Sequence, residues 1–348
     1  MRDFARTVVI LPVAATEQHG PHLPVSADAA IGEAIVRRAS ELSPADADVL
    51  NLPIQRVGKS DEHLAFPGTL SVSLDTLRAL WRDLARSVAR AGARRLILFN
   101  SHGGQSSLVD IVCRDIRIEP GTLAVGCSWF RIAEVGDLFS AHEIEHGVHG
   151  GDIETSMMLA VDPAHVDMSR AADFVPLTVA IRQSGSMLTA EGRVGFGWQA
   201  QDLHPAGVCG DAGAATADKV RVVIERAAEG LVRLIGAFRL AGNQIWARQM
   251  GVEAARRAGD RALAGRLACA GELHHGPQPA RPELLAAAAD ITHYFDRLAD
   301  DPAYWARVSP AARLEGVALD VPTLHVGGWR DLCLRGRSPR TTPSPTAS

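Results

Sequence analysis

Three short stretches of the chain gather imidazoles and carboxylates beside glycine, and each could hold a metal ion or work beside one. The first reads Thr16-Glu17-Gln18-His19-Gly20-Pro21-His22-Leu23-Pro24, with Asp28 close behind. Glu17 and His19 are spaced i, i+2. In extended chain such residues point to the same side, roughly 6.8 Å apart at Cα, so both can reach one ion or two adjacent ones. Asp28 can add a bridging carboxylate, and the Gly-Pro and Leu-Pro pairs stiffen the loop. The second stretch is Asn100-Ser101-His102-Gly103-Gly104-Gln105, where two glycines let backbone approach the His closely. The third is His142-Glu143-Ile144-Glu145-His146-Gly147-Val148-His149-Gly150-Gly151-Asp152-Ile153-Glu154-Thr155-Ser156. A lone His is more often structural, but three such clusters favour a metal site. Imidazole and carboxylate with no Cys nearby suit Zn, Mn or Fe. A divalent ion of this kind lowers the pKa of its water toward about 7 and so makes hydroxide available at neutral pH.

Such residues need a scaffold, and the chain alternates strands with helices. Thr7–Val13 is a continuous, β-branched apolar run that fits a buried strand of a parallel sheet. Asp28–Leu42 has a helical period, with Ile31, Ile35 and Leu42 on one side. Asp48–Ile54 is a second strand candidate. Ser73–Ala91 opens on a Ser cap and carries Leu77, Leu80, Leu84 and Val88 along one face of a helix. Arg95–Phe99 and Leu123–Cys127 read as further strands, with a helix over Leu108–Ile118 between them. The third cluster opens a helix that buries Met157, Met158 and Leu159. The pattern argues an α/β fold around a mostly parallel sheet. In such sheets ligands sit outside the carboxyl ends of the strands. Two of the three clusters directly follow predicted strands.

Composition narrows the classes. The 348 residues allow one large domain or two. With 47% apolar and 22% charged residues, wholesale disorder is excluded. The net charge of −4 gives no global electrostatic reason to bind nucleic acid or an anionic membrane. No apolar run approaches the ~20 residues of a membrane span. Residues 1–6 lack the apolar core of a signal peptide. The cysteines, at 113, 127, 209, 269 and 333, form no C-x-x-C and argue against a disulfide framework, so a reducing cytoplasm is expected.

The clusters also carry a resemblance. The run from Leu11 to Pro24 with Asp28, then Ser101-His102-Gly103-Gly104, then His149 to Ser156, look like the three signatures of the creatininase (creatinine amidohydrolase) family. Phe66-Pro67-Gly68-Thr69 and Gly210-Asp211 with Ala215-Thr216 match its pattern too, so the resemblance spans about residues 7–240. It implies an α/β/α layered amidohydrolase with two divalent metal ions, often a homo-oligomer and in some cases a hexamer, acting on a small-molecule amide. Carried over by position, Glu17, Asp28 and His102 would hold one ion. His19 and Asp28 would hold the second, and His149 would be the general acid/base. Creatininase takes a further ligand from a Glu at the position of Gly104. Here Asp152 or Glu154 is expected to supply that oxygen, with Asp152 placed among the ligands and Glu154 beside His149 in catalysis. Ser60 is expected to touch substrate. Glu145 stands where creatininase has Trp, so a cyclic amide, a formamide and a short peptide all remain open as substrates.

The last hundred residues differ. Asp300-Asp301-Pro302-Ala303-Tyr304-Trp305, Ser309 to Leu314 and Val321 to Asp331 resemble a piece of the cocaine esterase/X-Pro peptidase group of α/β-hydrolases. The Asp matching Asp331 is there the acid of a Ser-His-Asp triad. This chain has no G-x-S-x-G and no His after Asp331, so that triad cannot be assembled. The expected organisation is a metal-dependent domain over 1–250, a truncated hydrolase-like extension over 251–335 and a disordered tail over 336–348. The alternatives are a serine esterase or peptidase remnant and a catalytically impaired binding or assembly protein.

Overall fold

The first strand, β1 (Val8–Val13), is buried along its whole length, and that fixes its place in the middle of a sheet. In the computed structural model, which describes residues 4–257 except 45, 192 and 193, β1 is followed by α1 (Ala27–Leu42), β2 (Val49–Asn51), α2 (Leu74–Arg90), β3 (Arg95–Asn100), α3 (Ser106–Ile118) and β4 (Leu123–Ser128). The strands pair in parallel in the order β2-β1-β3-β4. Alternate residues of β1 and β3 point to opposite faces, and each face carries its own core. Val8, Ile10, Ile97 and Phe99 pack with Ile31 and Ile35 of α1. Val9, Leu11, Leu96 and Leu98 pack with Leu77 and Trp81 of α2 and with Val112 and Ile116 of α3. The result is the expected α/β/α layering.

Two details differ from the sequence reading. The helix face of α2 that turns inward carries Leu77, Trp81 and Ala85, while Leu80 is exposed. The strand expected over Asp48–Ile54 is only three residues long. Its pairing goes on through hydrogen bonds from Leu52 N–H to Ile10 and from Gln55 N–H to Pro12, interrupted at Pro53, which has no N–H to give.

The remaining elements are α4 (Ala141–His146), α5 (Asp152–Val161), β5 (Asp173–Phe174), α6 (Leu177–Gln183), α7 (Ala200–Leu203), β6 (Gly210–Asp211) and α8 (Ala217–Arg257), with β5 and β6 forming a small antiparallel pair. The third cluster is thus split between α4 and α5. Met157 and Met158 of α5 are fully buried, and Val223 and Leu231 of α8 join them in the same core. The turn between α4 and α5 closes on Glu143. Its carboxylate accepts hydrogen bonds from Ile153 N–H (3.3 Å) and Asp211 N–H (3.1 Å). Gly147, Gly151 and Gly210 leave the space for it; a Cβ on any of them would collide with the Glu143 carboxylate.

The chain divides into two units, Met1–Asn243 and Gln244–Ser348. The elements above belong to the first, apart from the end of α8. The expectations for residues 258–335, including the hydrolase-like segment around Asp331, and for the tail 336–348 lie outside the described residues. No described helix is long and apolar enough to cross a membrane.

The glycine cradle is directly testable. In Gly151→Ala the new methyl would meet both the Glu143 carboxylate and the Cys209 carbonyl oxygen. Overpacking of this kind costs about 1–3 kcal/mol, so the urea midpoint should fall with an unchanged slope. An unchanged midpoint would show that the turn is not held by Glu143.

Candidate metal centre

The parallel register brings Val13, Asn100 and Ser128 level at one edge of the sheet. The loops after β1 and β3 therefore leave side by side. Asn100, at the end of β3, ties the second loop down. Its amide donates to the His102 carbonyl (2.6 Å) and Ser128 Oγ (3.1 Å), while its oxygen accepts from His102 N–H and Gln105 Nε2. Asp28 lies in the first turn of α1 and Glu154 in the first turn of α5. His149 stands just ahead of α5, on a backbone pinned by Cys209 N–H at 2.7 Å.

These residues converge in three overlapping groups: Glu17, Asp28 and His102; His19, Asp28 and Glu154; Glu17, His19 and His149. His102 Nδ1 is 3.2 Å from Glu17 Oε1 and 3.3 Å from Asp28 Oδ2. His19 Nε2 is 3.4 Å from Asp28 Oδ1 and 3.8 Å from Glu154 Oε2. His149 Nδ1 is 3.8 Å from Glu17 Oε1 and 4.0 Å from Glu154 Oε2.

The other nitrogen of each ring is clamped by a backbone carbonyl. His19 Nδ1–H donates to Glu17 (3.0 Å), His102 Nε2–H to Lys59 (2.9 Å) and His149 Nε2–H to Gln18 (2.7 Å). A carbonyl oxygen only accepts, so in each neutral ring the nitrogen facing the carboxylates keeps its lone pair. His19 Nε2 and Asp28 Oδ2 are buried without a hydrogen-bond partner. Orphaned donor atoms of this kind, among three carboxylates and three oriented imidazoles, fit divalent ions of the Zn, Mn or Fe type. Asp28 belongs to two of the groups and can serve two ions.

Without metal, protons balance the charge. Burial disfavours a charged His19, but Asp28 outweighs it and pushes the pKa up to about 10. Burial likewise opposes charge on His102, yet Glu17 and Asp28 raise its pKa well above the usual histidine value. Burial, then the neighbouring His19 and His63, hold the His149 pKa well below that value, so its ring is neutral. Burial pushes Glu154 up to about 7 against the pull of His19.

Six expected residues therefore come together: Glu17, His19, Asp28, His102, His149 and Glu154. Two do not take the place expected of them. Asp152 is committed elsewhere, with one oxygen 2.6 Å from Lys219 Nζ and the other accepting from Ser156 Oγ. Ser60 is fully buried, and its hydroxyl donates to Glu17 Oε2, so it holds the Glu17 carboxylate in place and does not face open space. Two residues were missed. Glu62 puts its carboxylate where a side chain on Gly104 would begin, and its Oε1 lies 3.6 Å from His102 Nε2. His63 is buried with its ring centroid 4.2 Å from that of His149. The signal was present in Ser60-Asp61-Glu62-His63, a fourth run of His and acid, but it begins several residues beyond the Asp48–Ile54 strand candidate rather than directly at its end.

Known proteins match this picture. The creatininase family, described as creatinine amidohydrolase, matches residues 2–235. Creatinine amidohydrolase of Pseudomonas putida is 33% identical over 190 residues, covering 49% of this chain and 70% of that protein. Mycofactocin precursor peptide peptidase of Mycobacterium tuberculosis is 31% identical over 241 residues, covering 66% of this chain and 85% of that protein. Solved creatininases of the manganese and zinc–zinc types superimpose with a TM-score of 0.54 at 28% identity, covering 67% of this chain and 91% of theirs.

Two measurements check the centre. Asp28→Ala should empty both ion positions, whereas His19→Ala should leave the group of Glu17, Asp28 and His102 occupied; full metal content per subunit in Asp28→Ala would overturn the shared role. Proton counting is the second. His19 holds its proton in the metal-free protein up to about pH 10. Metal uptake at pH 7 should therefore release protons, seen as a buffer-dependent heat in titration calorimetry. The raised pKa also stabilises the metal-free fold fully below the ordinary value of about 6.5, and that contribution is lost as pH rises toward the folded value. The metal-free protein should thus melt lower at pH 9 than at pH 7.

Proposed function

The chain belongs to the creatininase family of hydrolases, and we propose that it cleaves the C–N bond of a linear amide, a formamide or a short peptide, with the help of two divalent ions. The observation that carries this reading is the convergence of three carbonyl-clamped imidazoles on Glu17, Asp28 and Glu154. Glu17, Asp28 and His102 would hold one ion, and His19, Asp28 and Glu154 the other. Bound there, two zinc, manganese or iron ions would supply water acidified toward about pKa 7 and polarise the amide carbonyl.

The chain's own groups do the rest. The Gln18 carbonyl holds the His149 Nε2–H, so Nδ1 is the nitrogen free to take a proton from the attacking water. The same nitrogen then gives that proton to the departing amine, which an amide needs because its nitrogen leaves poorly as an anion. Ser60 fixes one oxygen of Glu17 and leaves Oε1 directed at His102 and His149. Glu145 bears on the substrate. It occupies the position of the creatininase Trp, is exposed, and pairs with Arg182 at 3.0 Å, so it offers no aromatic wall for a flat ring. Trp198, edge-on to His63, instead lines the site from another loop.

His149→Ala should retain both ions and lose roughly 10²–10⁴ in rate, the usual worth of a general acid–base group. Metal analysis alongside turnover of N-formyl amino acids and dipeptides checks it. A variant that loses an ion would make His149 a ligand, as its place near Glu17 and His19 also permits. Metal-loaded wild-type protein that hydrolyses no formamide, peptide or cyclic amide would refute the hydrolase reading itself.

A further inference from the structure

His63 has no part in the roles assigned so far, and its hydrogen bonding is opposite to that of the three other rings. Its Nδ1 lies 2.7 Å from Gln18 Nε2. The orientation of that amide is fixed twice. Gln18 Oε1 accepts from Gly20 N–H at 2.9 Å, and Gln18 Nε2 donates to the Gly207 carbonyl at 2.6 Å. A backbone N–H can only give and a carbonyl can only take, so flipping the amide would break both bonds. The second hydrogen of the NH2 group therefore points at His63 Nδ1, which must accept it. The ring is then neutral, with its proton on Nε2. Gly207 sustains this arrangement, because its φ of +75° excludes most side chains and a Cβ there would press on the Gln18 amide.

His63 Nε2–H makes no hydrogen bond among the described residues. It lies 3.8 Å from Glu17 Oε1, the oxygen that is also 3.8 Å from His149 Nδ1. The centre thus receives lone pairs from His19, His102 and His149 and one fixed N–H from His63. That N–H has no lone pair to offer an ion.

We propose that His63 is a catalytic hydrogen-bond donor, giving its Nε2–H to the amide oxygen as that oxygen gains negative charge during attack by water. This rests on the hydrolase reading above. No proton is transferred: the bond strengthens as charge develops and relaxes as the C–N bond breaks. A fixed donor of this sort contributes most where water is excluded, and loss of one typically costs about 10²–10³ in rate. Gln18 is the positioning residue, since it sets which nitrogen of His63 carries the proton.

The test uses the full chain loaded with zinc, with acetohydroxamate as an oxyanion probe of the site. Nitrogen-15 NMR should find the His63 proton on Nε2 in the wild type, and Gln18→Leu should remove that preference. His63→Leu should keep wild-type zinc and bind acetohydroxamate at least tenfold more weakly. His63→Gln, which keeps an N–H at similar reach, should recover most of that affinity and guards against a simple folding defect. A proton found on Nδ1, loss of zinc in His63→Leu, or unchanged acetohydroxamate affinity in a folded His63→Leu would each overturn the assignment of His63 alone. Wild-type protein that takes up no zinc would overturn the two-ion reading and this proposal with it.

Discussion

Glu17, Asp28 and Glu154 share one pocket from which water is largely excluded, and their mutual repulsion is the constraint the surrounding structure answers. An uncompensated buried charge costs several kcal/mol, so such a group persists only where cations sit among the carboxylates. Protonated His19 and His102 supply that charge in the metal-free chain. Divalent ions supply it more strongly, but only if the rings present lone pairs. The carbonyls of Glu17, Gln18 and Lys59 ensure this by occupying the outer nitrogens. The same first loop therefore provides the carboxylate of Glu17, the imidazole of His19 and two of the three carbonyls that orient imidazoles.

That economy depends on backbone precision, which comes from the sheet and from glycine. Level ends of β1 and β3 set the two loops side by side, and Gly58 lets them close: a Cβ there would strike the Ala14 carbonyl and the Gln105 amide. Gly20 and Gly150, both at positive φ, pack against Val208 with no room for a side chain. The Glu143 cradle fixes the third loop in the same way from outside the centre. Glu17, His19, His102 and His149 thus sit on loops whose freedom has been removed by close contact, while Asp28 and Glu154 are held by the first turns of α1 and α5.

The layered fold was legible because buried parallel strands read as unbroken apolar runs, as in Val8–Val13 and Arg95–Phe99, and amphipathic helices follow them. The candidate site residues at strand ends were legible for the same reason: Glu17, His19 and His102 follow apolar runs closely, and the fold brings them together. What stayed hidden depends on pairings between distant segments. Asp152 and Glu154 are two residues apart at the start of α5, where successive residues turn by about 100°, so they diverge and only one can face the centre. Lys219, far along the chain, decides the matter by pairing with Asp152. Ser60 could be read as a substrate contact until its hydroxyl was seen on Glu17. Glu62 and His63 sit in a short turn separated by residues 55–59 from the apolar run that ends at Ile54, so their place beside the centre is set by the fold and not by a directly preceding strand.

Gly104 shows how such a centre can redistribute its charges. The resemblance implies a Glu at this position, but this chain has no side chain there, and the Glu62 carboxylate stands where one would begin. A carboxylate on residue 104 and the present position of Glu62 exclude each other sterically, and two charges there would repel. With no oxygen at residue 104, Glu154 lies with His19 and Asp28 from the first turn of α5 and would supply the third carboxylate of the proposed site. Glu62 meanwhile lies 3.6 Å from His102 Nε2, beside the Lys59 carbonyl that already accepts its proton. A carboxylate behind the outer nitrogen of a ligand imidazole makes the inner lone pair a stronger donor. On the proposed two-ion reading, one glycine would thus exchange a carboxylate able to bind an ion directly for one that acts through His102, and direct ligation would pass to the start of α5.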